Sequence, residues 1–247
     1  MGSNLGIRAA RAGDDTSPTA KALFPGGVTV CLVTVYETET PDGLHGGSPH
    51  MHLTCTEGYV VLEGHGRLQT LTGEGFRELE LEPLDVVWFE PGVIHRLVND
   101  KALRLLVVMQ NGGPEAGDAV FTFPPSVLAD PAHYAAATAG GSESAVTRRR
   151  DLAVEGFTAL RADPAQLESF HAAALELVSD RLDEWKELWR AGALGATRRT
   201  GEILEELQTG STQVLDQGRV HAGHAADEPQ RLGMCGRLAV VDWSSVA

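Results

Sequence analysis

Between residues 22 and 124 no strand-forming run lasts more than nine residues before a turn signal cuts it, and that punctuation limits the fold most. Helices need roughly ten residues or more to hold together, whereas half-buried strands need about five. Val28 to Tyr36 is rich in β-branched residues and apolar on both faces, as a strand covered on both sides would be. A Gly/Pro-rich loop from Pro41 to Pro49 leads into His50 to Thr54. Further runs follow at Gly58 to Leu62, Arg67 to Leu71, Phe76 to Leu81, Asp85 to Phe89, Ile94 to Val98, Leu103 to Met109 and Ala119 to Phe123. Gly64/Gly66, Gly73/Gly75, Pro83, Pro91-Gly92, Asn99-Asp100 and Gly112-Gly113-Pro114 separate them. Short strands punctuated in this way predict an antiparallel sandwich or barrel.

The pattern changes after Pro125. Residues 1–21, rich in Gly, Ala, Asp and Ser, read as a flexible segment without the apolar stretch of a signal peptide. Residues 22–125 read as the β-barrel, 126–147 as a linker, and 148–247 as a helical region with a candidate terminal strand at Arg237 to Trp243. Asp163-Pro164 is a helix start, an Asp cap followed by proline at the first position. Leu167, Phe170, Ala174, Val178, Leu182, Trp185 and Leu188 recur at helical spacing behind it, which predicts one helix to about Arg190. A shorter helix is expected over Arg198 to Leu207, with Ile203, Leu204 and Leu207 facing inward, and residues 209–232 read as loop.

The formal charge of −14 opposes binding to nucleic-acid phosphates or anionic lipid. No apolar run approaches the roughly 18 residues that cross a bilayer. Cys31, Cys55 and Cys235 are an odd number without metal-ligand spacing, which fits small buried hydrophobes in a protein of the reducing cytoplasm.

Two segments carry chemistry, His50-Met51-His52 with Glu57 behind it, and Pro91-Gly92 with His95 behind it. Residues i and i+2 of a strand point to one face, so His50 and His52 project together. Glu57 lies an odd number of residues away, so a turn or bulge after Thr54 must place it at the start of the next, adjacent strand. The Pro91-Gly92 turn then delivers His95 from another strand. Three imidazoles and one carboxylate form a mixed N/O shell for a divalent transition metal.

Taken jointly, these segments resemble the cupin superfamily. Its first motif, G-x5-H-x-H-x3-4-E-x6-G, matches at His50, His52, Glu57 and Gly64, and its second, G-x5-P-x-G-x2-H-x3-N, at Pro91, Gly92, His95 and Asn99. Leu44 and Asp85 stand where the two motifs open with glycine, and the proline and glycine of the second are adjacent. The resemblance implies a mainly β fold, a double-stranded β-helix or jelly-roll-like barrel over about residues 22–125, with a helical C-terminal region beyond it. It implies one metal bound by His50, His52, Glu57 and His95: Fe first, with Mn, Ni, Zn, Co or Cu as alternatives. It also implies a homodimer.

Tyr59 and Val61 share the face of Glu57, and Gln110 ends the strand that reaches toward the barrel mouth, so these three are candidate substrate contacts. Glu57 and Tyr59 are the candidate catalytic groups. Of Trp88 and Phe89, one belongs in the core and the other on the cavity. His45 reads as a solvated loop histidine, or else as a proton shuttle. His221 and His224 lack a third ligand, Arg148 to Arg150 read as a solvated charge cluster, and Trp185/Trp189 as helix-packing core. The functional expectation is an Fe(II)-type oxygenase acting on a small organic molecule. A non-redox isomerase, cyclase or lyase, and a binding module without catalysis, are the alternatives.

Overall fold

A computed structural model describes residues 24–110, 117–226, 229 and 231–246. The segment 1–21 read as flexible lies outside them. Seven strands precede the helices: β1 (Thr29–Val35), β2 (His50–His52), β3 (Glu57–Thr72), β4 (Gly75–Leu81), β5 (Val86–Phe89), β6 (Ile94–Met109) and β7 (Ala119–Phe121). Six helices follow: α1 (Pro125–Leu128), α2 (Pro131–Thr138), α3 (Glu143–Ala162), α4 (Leu167–Val178), α5 (Leu182–Ala191) and α6 (Ala193–Gln208). The chain then returns to the sheet as β8 (Val220–Ala225), β9 (Arg231–Leu232) and β10 (Gly236–Val246). All pairings are antiparallel, in the order β4-β3-β6-β1-β10-β8, with β5 on β3, β9 on β10, and β2 between β6 and β7. The sheet rolls up without closing, since β4 and β8 form no ladder with each other.

Its backbone is the long ribbon β3–β6. Glu57 pairs with Met109 at one end of it and His95 with Thr70 at the other. A straight strand would separate those ends by about 43 Å at about 3.3 Å per residue. The ribbon instead bends back on itself through register shifts between Val61 and Gly66, with Gly64 at φ +79° and Ala102 at φ 45° facing it. A Cβ at Gly64 would meet the Ala102 carbonyl oxygen at 2.2 Å, so this bend requires glycine both for its backbone angle and for space. Gly64/Gly66 and Asn99-Asp100 are therefore bulges within two long strands, where turns between four short ones are expected.

Two apolar cores result. One fills the roll, with Val33, Tyr59, Val61, Leu105 and Val107 among its buried members. The other joins the outside of β2 and β7 to the helices, through Met51, Val120, Phe123, Phe157 and Phe170. Strand parity separates them: His50 and His52 point into the roll, and Met51 between them points to the helices. Helix α3 fits tightly there, because a Cβ on Gly156 would lie 1.9 Å from the Thr122 carbonyl oxygen.

The C-terminal half departs further from expectation. Residues 126–147 contain α1, α2 and the start of α3. The helix expected from Asp163 to Arg190 is divided by a 3-10 turn at Ser179–Arg181 into α4 and α5. On α6, Leu204 (56% exposed) and Leu207 do not face inward. Residues 220–225 form a strand where a loop is expected, whereas the expected terminal strand is present as β10 and runs beside β1, with Cys31 opposite Val240. The Arg148 to Arg150 cluster is not solvated as a whole: Arg149 and Arg150 are buried in α3. Among the described residues no helix is long and apolar enough to cross a membrane.

Candidate metal centre

The roll brings His50 and His52 of β2, Glu57 at the start of β3 and His95 near the start of β6 into one buried cluster. One ligand atom from each lies within 4.8 Å of all the others. Glu57 does open a new strand, as its spacing requires, but β2 and β3 share no ladder; each pairs with β6. The remaining motif residues shape the site. Gly92, at φ +91°, donates its N–H to the His52 carbonyl at 2.9 Å, so the Pro91-Gly92 turn ties the two histidine-bearing segments together. Asn99 donates to the Val35 carbonyl and accepts from the Leu103 N–H, bridging β1 and β6.

Outer hydrogen bonds orient every ring. His50 Nδ1 lies 2.8 Å from the Ser48 carbonyl, His52 Nδ1 2.8 Å from Asp118 Oδ1, and His95 Nδ1 3.1 Å from the Val93 carbonyl. Since carbonyls and carboxylates only accept, each Nδ1 carries the proton and each Nε2 turns its remaining valence inward. His52 Nε2, His95 Nε2 and Glu57 Oε2 are buried and make no well-aligned hydrogen bond, although each Nε2 lies 3.2 Å from Glu57 Oε2. Buried polar atoms without partners are rare in folded proteins. Three of them converging beside a fourth donor fit a divalent cation with mixed N/O preference.

Charge supports the same assignment. Burial alone would lower His52, but Glu57 and Asp118 on either side of it outweigh burial and raise its pKa to about 10. Burial would likewise raise Glu57, yet His52 and His95 hold it well below the usual carboxylate range. Burial, with His95 and His52 adding to it, pushes His50 well below its ordinary value. In the metal-free protein at neutral pH, His52 thus carries a proton that a bound cation would displace. Metal uptake at pH 7 should release about one proton, and affinity should rise with pH between 6 and 8. Calorimetry in buffers of different ionisation enthalpy measures this, and buffer-independent heats would contradict it.

Asp118 is the ligand-orienting residue that sequence reading misses. It is 1% exposed and also accepts from the Thr54 N–H and hydroxyl. Its carboxyl is held below the ordinary range by those bonds and by His52, against the effect of burial.

The cluster opens on a cavity of about 270 Å³, whose walls include Val33, Val107, Met109, Met234 and Leu238. Tyr59 lines it as well. Its hydroxyl sits beside the Cys235 thiol without a well-formed hydrogen bond, and burial, followed by the charge of Glu57, raises its pKa well above 10. Val61 packs into the core, and Gln110 is half-buried with its N–H on the Thr56 carbonyl; neither is among the lining residues. Phe89 packs against His95, with centroids 4.2 Å apart, whereas Trp88 is 72% exposed and faces away from the cavity. His45 is exposed in its loop, and His221 and His224 lie exposed on β8. Among the described residues, the only group of three or more candidate ligands is the quartet. Trp185 is buried core, but Trp189 is 44% exposed. A wall of the cavity comes from the far end of the chain, at residues 231–235, and another part from Arg149 of α3.

Residues 36–109 match the family model described as a cupin domain. This region is a cupin domain. Its histidines and glutamate fall where a metal-binding cupin holds its ion. Among solved structures, the cupin domain is similar to the Streptomyces nucleoside dehydratase Pac13, at 14% identity over 40% of this chain and 70% of that chain, with a TM-score of 0.31. It is also similar to hydroxypropylphosphonic acid epoxidase from S. wedmorenis, at 24% identity over 33% of this chain and 42% of that chain, TM-score 0.27. A cupin superfamily protein from Desulfitobacterium hafniense aligns at 17% identity over 33% of this chain and 64% of that chain, TM-score 0.27. No curated protein matches the chain.

Proposed function

We propose that this chain is a metal-dependent cupin enzyme that oxygenates a small organic molecule, with Fe(II) held by His50, His52, Glu57 and His95. The observation that carries the reading is the set of buried, unsatisfied Nε2 and Oε2 atoms beside a cavity that His50, His52 and Glu57 line. Four protein donors leave two positions of an octahedral ion open, which supports oxygenation when substrate and O2 bind side by side. The mostly apolar wall favours an apolar co-substrate such as O2 and excludes water from the reacting groups. A volume of about 270 Å³ restricts the substrate to small-metabolite size. Tyr59, kept neutral by burial, donates its phenolic proton to a substrate oxygen and does not act as a base. Glu57, kept ionised by His52 and His95, supplies the one anionic donor to the ion.

The test is anaerobic Fe(II) reconstitution followed by O2-electrode measurements with a panel of small catechols and enolisable acids. Substrate-dependent uptake, lost in Glu57→Ala, is expected. The same Tyr59 donor suits an enediolate oxygen, which favours a non-redox isomerase, cyclase or lyase as the second reading; turnover under argon would select it. The three buried free thiols accord with a reducing cytoplasm. We assign the homodimer interface to the outer face of β3 and β5, where Leu62, Val86 and Trp88 are exposed together. Trp88→Glu should give a monomer by light scattering, and an unchanged mass would rule out that face.

A further inference from the structure

Arg149 is a buried cation on the cavity wall without an anion. Its side chain projects from α3, is 8% exposed, and lines the same cavity as the metal ligands. One Nη donates to the Gly233 carbonyl at 2.8 Å, and the other reaches the Thr138 carbonyl at 3.5 Å. Its Cζ lies 5.0 Å from the centroid of Phe121, and its Nε is buried without a partner. Among the described residues it has no carboxylate partner, unlike the buried Arg96 and Arg150, which pair with Asp42 and Asp151. A buried charge without a counter-ion is costly, and the cost is offset when a ligand supplies the opposite charge.

The surroundings add to the imbalance. A divalent ion among three neutral imidazoles and one carboxylate would leave a net positive centre on the same cavity. Arg149 and His50 line the same cavity and both lie near the Phe121 ring, at 5.0 Å for the guanidinium and 6.3 Å for the imidazole, so one small molecule in that cavity meets both metal ligands and guanidinium.

We propose that the substrate is a carboxylate, bound by a metal-chelating oxygen pair at the histidine cluster and by its carboxylate group at Arg149. This rests on the cavity being the substrate site, and it deepens that reading by naming the charge the substrate carries. Guanidinium forks match carboxylates in shape and charge, and Arg149 retains donors for that contact.

Three catechol acids with no, one or two methylenes before the carboxylate (3,4-dihydroxybenzoate and its acetate and propionate homologues) provide the probes, each beside its neutral amide. Calorimetric affinities are measured on full-length protein, both Ni(II)-loaded and stripped of metal. At least one acid should bind more than about tenfold tighter than its amide in both forms, an advantage of about 1.4 kcal/mol. Arg149→Gln should reduce that preference below about twofold while leaving metal content and amide affinity unchanged. Arg149→Lys should keep part of it, and it replaces the Gln variant if that fails to fold. No preference at any length, no measurable binding of any acid, a preference unchanged in the variants, or one that vanishes on metal removal would each overturn the proposal. Failure to take up Ni(II) with the acid preference intact would instead sink the metal reading, and the chelating contact with it, and leave the carboxylate contact at Arg149 standing.

Discussion

His50→Ala should lose its metal. His50 is 1% exposed, its Nδ1 is fixed by the Ser48 carbonyl, and its ring stands 4.2 Å from that of His95. Changing an outer-shell partner of a metal ligand usually costs about 10–100-fold in affinity, so removing a ligand should cost more than ~100-fold. A graded series follows. Asp118→Asn keeps the shape beside His52 but removes the charge that orients its ring, and should fall in the range of about 10–100-fold. His221→Ala, on an exposed strand, should change nothing. Competition against a fluorescent chelator with Co(II) or Ni(II) measures all three. Equal losses across the series would mean that the metal is bound elsewhere.

Arg150→Met should be the most destabilising of the substitutions considered. Arg150 is 2% exposed and ties α3 to the segment after β1. Its guanidinium donates to the Thr38 hydroxyl, to the Thr38 carbonyl at 3.1 Å, to the Glu39 carbonyl at 2.7 Å and to Asp151. Methionine fills similar volume but removes all of these bonds, and it takes the charged donor away from two part-buried carbonyls, those of Thr38 and Glu39. A hydrogen bond from a charged donor contributes about 1.5–3 kcal/mol, and partial exposure of these carbonyls keeps the sum near the lower end, so a loss of about 3 kcal/mol is expected. For a chain of this size that lowers Tm by roughly 6–12 °C in calorimetry. A change under about 1 kcal/mol would show that water replaces the guanidinium.

Ligands are legible in this sequence where identity and parity coincide. His50 and His52 must share a face, Glu57 cannot share their strand, and a Pro-Gly turn precedes His95, so the quartet and its three-strand origin can be read directly. Asp118 cannot, because a lone aspartate 66 residues beyond His52 forms no pattern with it. The bulges are misread as turns because Gly64, Gly66 and Asn99-Asp100 carry the same chemistry in either role; only the pairing of β3 with β6 distinguishes them. Helix α3 is hidden for a different reason. Val146, Ala153, Val154, Phe157 and Leu160 form its buried side, but Arg149 and Arg150 lie on that side too, so the periodicity is interrupted by the residues with the most specific roles. The return of the chain as β10 rests on pairing with β1, about two hundred residues earlier, which no local window contains. That return brings Met234 and Cys235 to the cavity, and their loop-like Gly-Met-Cys-Gly setting gives no sign of it.

The cavity holds a second set of candidate donors beside the quartet, since Cys31 and Cys235 also line it. Burial, with the charge of Glu57 adding to it, pushes Cys31 up to about 12, and burial raises Cys235 further still, so both thiols are protonated in the metal-free protein. X-ray absorption at the metal edge of the Co(II)-loaded chain separates the two sets. One metal per chain is expected, with nitrogen and oxygen scatterers at about 2.0–2.2 Å and the multiple-scattering signature of imidazole. A sulfur shell near about 2.3 Å, or a chain that retains no metal, would contradict it.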